Sequence, residues 1–139
     1  MDAKTCVEHL RRKYKTNNVY DIAEKMGVII HRVNLGSTRG MCYTARRIKQ
    51  VFLNMDLPQN VERFVLGHEL GHLTMHPEHN APFLQNTFFN KSRYEIEANT
   101  FAINLIMSDL DIMEHWEYTI DEWAMYYGLP REIIELRFK

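Results

Sequence analysis

Between Pro58 and Pro77 the chain reads QNVERFVLGHELGHLTMH. This is a helical pattern that carries two glycines in its interior. Each glycine costs a helix about 1 kcal/mol relative to alanine. Gly67 and Gly71 stand four apart, so they share one face and make a smooth strip along it. Such a helix gives up intrinsic stability so that another element can pack closely against it. On the neighbouring face Val61, Phe64 and Val65 lead into His68 and His72, so the two imidazoles continue an apolar stripe and point inward.

The same run contains His68-Glu69-Leu70-Gly71-His72, an H-E-x-x-H spacing. Histidines four apart lie one turn apart and can both reach one cation at about 2 Å. Glu69 lies roughly 100° around the helix from His68. From there it can hold a water next to the cation and take its proton. Zinc lowers the pKa of a bound water to about 7, which yields a nucleophile for a peptide carbonyl. One core histidine hydrogen-bonded to backbone is unremarkable; two in this register with the glutamate point to a site.

A catalytic zinc site takes three protein ligands and keeps one position open. Downstream candidates for the third are His76, His79, Glu95, Glu97 and Asp109. A third histidine in the pattern H-E-x-x-H-x-x-G-x-x-H is excluded, because its glycine position is Met75 and its last position is Glu78. His76, at the helix end, fits a supporting role better than ligation, and His79 reads as a loop residue. The segment RYEIEANTFAINLIM is strongly helical, with Ser92 as its N-cap. Glu95 and Glu97 are two apart and diverge by roughly 200°, so only one faces the ion. Glu95 shares its stripe with Ala98, Asn99, Ala102, Leu105 and Ile106, and is the better ligand. Ala98 and Ala102 are small enough to meet Gly67 or Gly71. Asn99 is placed to hydrogen-bond a ligand from behind. Glu97 reads as a solvated charge.

The remaining pattern predicts helices over 2–14 and 19–26, strands over 28–34, 41–45 and 49–54, a helix from Pro58 to Met75, a long loop over 77–92, and short helices near 109–116, 119–127 and 130–137. A small antiparallel three-stranded sheet is expected. No linker or repeat divides residues 1–139, so one α+β domain is expected. The net charge of −1 makes no case for nucleic acid or an anionic membrane as the main partner. No apolar run spans a bilayer, and MDAKTCVEHLRRKYK lacks a signal-peptide core, so the expected address is cytoplasmic. Cys6 and Cys42 form no C-x-x-C pair and read as free, small core residues.

GHELGH followed by YEIEANTFAINLIM resembles the ImmA/IrrE type of small metallopeptidase linked to prophages and mobile elements. The resemblance covers most of the chain and joins two motifs in the right order. It implies a zincin-like helix pair beside the sheet, a single zinc metallopeptidase domain over 1–139, zinc held by His68, His72 and Glu95, and Glu69 as catalytic base. It implies a helix-turn-helix repressor as the protein substrate, whose cleavage derepresses the element. Ser108 stands where the family pattern commonly has proline, so an altered helix end is expected there.

Two other readings compete. A DNA-binding regulator is suggested by the outlines of VYDIAEKMGV and TIDEWAMYYGLPREIIELR, but basic residues are scattered and the outline is common in plain helical packing. A metal-binding regulator could inactivate a repressor by binding without turnover. In the peptidase reading the substrate strand pairs along Lys49 to Asn54. Tyr94, Tyr43 and His115 are then open candidates for oxyanion support, and the loop aromatics Phe83, Leu84, Phe88 and Phe89 for substrate contact.

Overall fold

The computed structural model describes residues 1–77 and 92–139. The expected 77–92 loop with its aromatics, and His79, therefore lie almost wholly outside the described residues. Two N-terminal helices, α1 (Ala3–Tyr14) and α2 (Val19–Lys25), begin at side-chain caps from Asp2 and Asn18. Three strands follow: β1 (Ile29–Val33), β2 (Gly40–Ala45) and β3 (Ile48–Asn54). The site helices are α3 (Gln59–Met75) and α4 (Arg93–Ile106), and α5 (Asp109–Glu114), α6 (Ile120–Tyr127) and α7 (Arg131–Arg137) complete the chain. No helix among the described residues is long and apolar enough to cross a membrane.

The expectation of an antiparallel sheet is corrected. The strand order is β1-β3-β2, with β2 antiparallel to β3 but β1 parallel to it. The reason lies in residues 34–39, which cross the end of β3 instead of folding β2 back onto β1. The buried Asn54 side chain pins this crossing by donating to the carbonyls of Gly36 (2.9 Å) and Thr38 (3.0 Å), while its backbone N–H donates to Arg39 (2.9 Å). The β2–β3 hairpin closes through Arg46 and Arg47, both at positive φ (52° and 67°), the backbone a two-residue primed turn requires. Lys49 to Asn54 is consequently the central strand. Both its edges are taken, so it cannot receive a substrate strand. The outer edge of β2 has no partner strand among the described residues.

The inner sheet face, through Cys42, Val51 and Leu53, packs with Val7, Ile22, Phe64, Val65 and Leu66 in one core. Arg32 of β1 holds Glu62 of α3 (2.8 Å), and Tyr20 of α2 donates to the same carboxylate (3.0 Å), so three elements meet at one point. The last carbonyls of α4, which lack partners within the helix, are taken by distant side chains. Arg11 donates to Asn104 (2.7 Å) and Leu105 (2.9 Å), Tyr127 to Ile106 (3.4 Å) and Arg137 to Met107 (2.7 Å). Ser108 ends α4 differently from a proline: it caps α5 in a reciprocal box with Asp111.

The α3–α4 contact is the broadest between two helices, and the glycine strip makes it. A Cβ added at Gly67 would stand 3.2 Å from the Ala102 Cβ; one at Gly71 would stand 3.1 Å from the Phe101 Cβ and 3.2 Å from the Ala98 Cα. We expect Gly71→Ala to lower stability despite alanine's better helix propensity. Propensity contributes about 1 kcal/mol in its favour, whereas overpacking a closed interface costs typically ~1–3 kcal/mol. The neighbouring atoms belong to buried backbone and a fully buried ring, so they have little room to yield. A urea midpoint equal to or above the parent's would contradict this.

Candidate metal centre

Helix α3 delivers His68 and His72 from adjacent turns, and α4 brings Glu95 across the contact that Gly67 and Gly71 permit. All three side chains are buried. His68 Nε2 lies 2.9 Å and His72 Nε2 2.7 Å from separate oxygens of Glu95, and the two Nε2 atoms are 3.1 Å apart. One potential ligand atom from each residue lies within 4.8 Å of the others. Tetrahedral zinc with bonds of about 2.0–2.1 Å separates its ligand atoms by about 3.3 Å. The donor set and its spacing therefore fit a zinc ion.

The outer nitrogens fix how each imidazole is presented. His68 Nδ1 stands 2.6 Å from Asn99 Oδ1. The amide oxygen only accepts, so Nδ1 carries a proton and Nε2 is the nitrogen turned to the trio, where loss of its own proton would free a lone pair for a metal. His72 Nδ1 stands 3.2 Å from His76 Nδ1. Donation from His72 to His76 gives the same result for the second ligand. Thus Asn99 stands where the sequence pattern put it, and His76 supports a neighbour from the end of α3. Glu97 is less solvated than expected: it pairs with Arg93 (3.2 Å) and lies 3.7 Å from His76 Nε2. Asp109 pairs with Arg137 (2.6 Å) and is no part of the trio.

Glu69 is fully buried, and apart from the weakly donating Cys42 thiol that faces it, neither of its oxygens has a hydrogen-bond partner among the described residues. Burial, with Glu95 adding and His72 opposing, pushes its carboxyl up to about 7. Glu95 behaves oppositely. Burial acts to raise it, but hydrogen bonds and charge from His68 and His72 together hold it near 2, well below the usual range. In metal-free protein this makes Glu69 a pH-dependent liability. Its folded pKa lies above the ordinary 4.5, so the folded state holds the proton more tightly, and stability falls as pH rises from about 4.5 to about 7. The difference is up to ~3 kcal/mol. Glu69→Gln should remove that slope. Urea midpoints of chelator-treated parent and variant, compared from pH 5 to 8, read it directly; parallel profiles would refute it.

The sequence reading missed two residues of β2. A Cβ on Gly40 would fall 2.6 Å from Val65 Cγ1 and 3.7 Å from Glu69 Cγ, so only glycine lets the strand lie this close over α3. Gly40 had read merely as the end of a turn cluster. Cys42 is free and buried as expected, but its thiol faces Glu69, and burial beside that carboxylate pushes its pKa up. The only signal in the sequence was the alternation that puts residues 40 and 42 on one face. Among the oxyanion candidates, Tyr94 stands edge-on to His76 at 4.8 Å between ring centroids, whereas His115 belongs to an aromatic cluster with Tyr118, Trp123 and Tyr126. Tyr43 lies on β2, largely exposed.

Two relatives and one family model match the chain. The chain is 36% identical over 138 residues, 96% of its length and 87% of the relative's, to "Uncharacterized immunity region protein 2" of Bacillus phage phi105. It is 26% identical over 136 residues, 94% of its length and 80% of the relative's, to "Metallopeptidase ImmA" of Bacillus subtilis strain 168. No solved structure gives a significant match. The family model for Peptidase_M78, the IrrE N-terminal-like domain, matches residues 23–139, and the chain belongs to that family.

Proposed function

We propose that this chain is a zinc-dependent endopeptidase that cuts a helix-turn-helix repressor of a prophage or mobile element and so derepresses it. The observation that carries the reading is the buried Glu69 carboxylate, met among the described residues by no stronger donor than the Cys42 thiol, next to the His68–His72–Glu95 trio. Burying a carboxylate without a strong partner is unfavourable, and such a group beside ligand-type side chains marks a functional site. The names of the two relatives, one a metallopeptidase and one from a phage immunity region, support the class of substrate.

His68, His72 and Glu95 would hold the ion, with Asn99 and His76 fixing the imidazole orientations. Zinc bound there supplies Lewis acidity and brings the pKa of a water near about 7. The Glu69 carboxylate accepts a proton and passes it to the leaving amine; a base whose pKa lies near the working pH does this well. The substrate strand pairs with the outer edge of β2, whose Gly40 keeps the strand close over Glu69. The test is incubation of the purified chain with the repressor encoded beside its gene, with and without chelator, followed by mass spectrometry. Two fragments that require metal are expected. An inactivated but uncut repressor, or cutting that ignores chelator, would remove the reading.

A further inference from the structure

We propose that the groove on α6 lined by Tyr118, Glu122, Met125 and Tyr126 captures a lysine or arginine side chain from the basic, DNA-contacting surface of the substrate. The identity of that partner rests on the function proposed above.

The net charge of −1 conceals a strong asymmetry. Residues 1–63 contain twelve Lys and Arg against six Asp and Glu, whereas residues 94–130 contain eight Asp and Glu and no Lys or Arg. Within that acidic stretch, Asp109 and Asp121 are neutralised by Arg137 and Arg131 of α7 (both 2.6 Å), and Asp111 accepts from Tyr127 (3.1 Å). Glu114, Glu117 and Glu122 have no cationic partner among the described residues. Glu122 accepts the Thr119 N–H at the start of α6 through one oxygen, and the helix cap does not use the other.

The groove beside Glu122 has a volume of about 230 Å³. Two of its walls are aromatic: the Tyr118 and Tyr126 rings lie 5.9 Å apart at 61°, and His115 stacks on Tyr118 at 4.7 Å, holding that ring in place. Ring faces attract an ammonium or guanidinium within about 6 Å, and Glu122 adds a formal charge to the same place. Met125 of the groove is 84% exposed, and Trp116, two residues before Tyr118, is 79% exposed. Tryptophan is typical of binding hot spots and methionine adapts to varied apolar contacts.

The occupant follows from charge complementarity. A protein that binds DNA carries Lys and Arg on the face that meets phosphate. That face supplies the cations that Glu122 in the groove, and Glu114 and Glu117 just before it in the chain, lack. Arginine or lysine taken by the groove is withheld from phosphate, so docking here competes with DNA for the same surface. Helix α6 is tied to the end of α4 through Tyr127 and Ile106, about 16 Å along α4 from Glu95. A repressor held there lies within one small domain's reach of the metal site.

The test uses the full, zinc-loaded chain carrying Glu69→Gln, titrated with a synthetic 14-residue helical peptide of Lys and Leu, and with its counterpart in which Glu replaces Lys. Tryptophan fluorescence, to which the exposed Trp116 and the buried Trp123 both contribute, and calorimetry report binding. The Lys peptide should bind with an affinity that falls as salt rises, and the Glu peptide should not. Tyr126→Ala and Glu117→Lys should each weaken the Lys peptide at least tenfold. Glu117 belongs to neither the core nor a cap, so its variant separates lost docking from lost folding. Equal binding of both peptides, or unchanged binding by both variants, overturns the proposal. Because the Glu69→Gln background is expected not to cut, the outcome is independent of catalysis. Docking without any repressor cleavage would defeat the peptidase reading alone; cleavage with KM unchanged in Tyr126→Ala and Glu117→Lys would defeat the docking surface alone.

Discussion

On the proposed function, Glu69→Gln is expected to retain zinc at the parent's stoichiometry and to lower kcat for repressor cleavage by about 10²–10⁴-fold, the usual contribution of a positioned general base. The substitution is nearly isosteric and lies outside the His68–His72–Glu95 trio, so the ligand geometry has no reason to change. What disappears is a carboxylate that could accept a proton. Because proton acceptance matters only in the transition state, kcat and kcat/KM should fall together. The neutral amide also relieves the burial of an unpaired charge, so the metal-free variant should be at least as stable as the parent above pH 7. Metal analysis and single-turnover cleavage check the two halves separately. Parent-like cleavage by the variant would show that Glu69 is not the base.

Glu95→Ala is expected to lose metal far more severely than Asn99→Ala. Both residues sit on α4, one turn apart, and both touch His68. They act differently. Glu95 presents its oxygens to both Nε2 atoms and would be a ligand itself, whereas Asn99 only fixes which nitrogen of His68 carries the proton. Losing a partner of the latter kind weakens metal binding by roughly 10–100-fold. Losing one of three ligands should exceed that range, enough that Glu95→Ala is purified without zinc. Competition against a chromogenic chelator measures both. Thermal melts give a second readout, because zinc raises the melting midpoint only of chains that bind it when folded. Equal zinc affinity in the two variants would mean that Glu95 does not coordinate.

Local patterns were legible because they depend on few neighbours. The start of α4 was readable at Ser92, which caps the N–H groups that follow, and the structure adds Asp2, Asn18 and Thr119 as caps of the same kind. The Gly67–Gly71 strip and the small residues Ala98 and Ala102 announced a close helix pair, and those residues do meet. The stripe argument on α4 was less successful for Glu97. Phe101 and Asn104, on its side, are buried, because α1 and α7 close over α4 on faces that a two-helix picture leaves to solvent.

The spacing His68-x-x-x-His72 and the stripe through Glu95 are properties of helical periodicity, and so the trio and its Asn99 support could be read from the chain before any fold was known. Strand pairing has no such local rule. Nearest-neighbour hairpins were the natural reading of three short strands, yet the 34–39 crossing, held by Asn54, inserts β3 between β1 and β2. That nonlocal choice moved the free edge from Lys49–Asn54 to β2. It also brought Gly40 and Cys42 over Glu69. A hydrogen bond that a residue makes to a segment sixteen or more positions away leaves no periodic trace, and only packing reveals it.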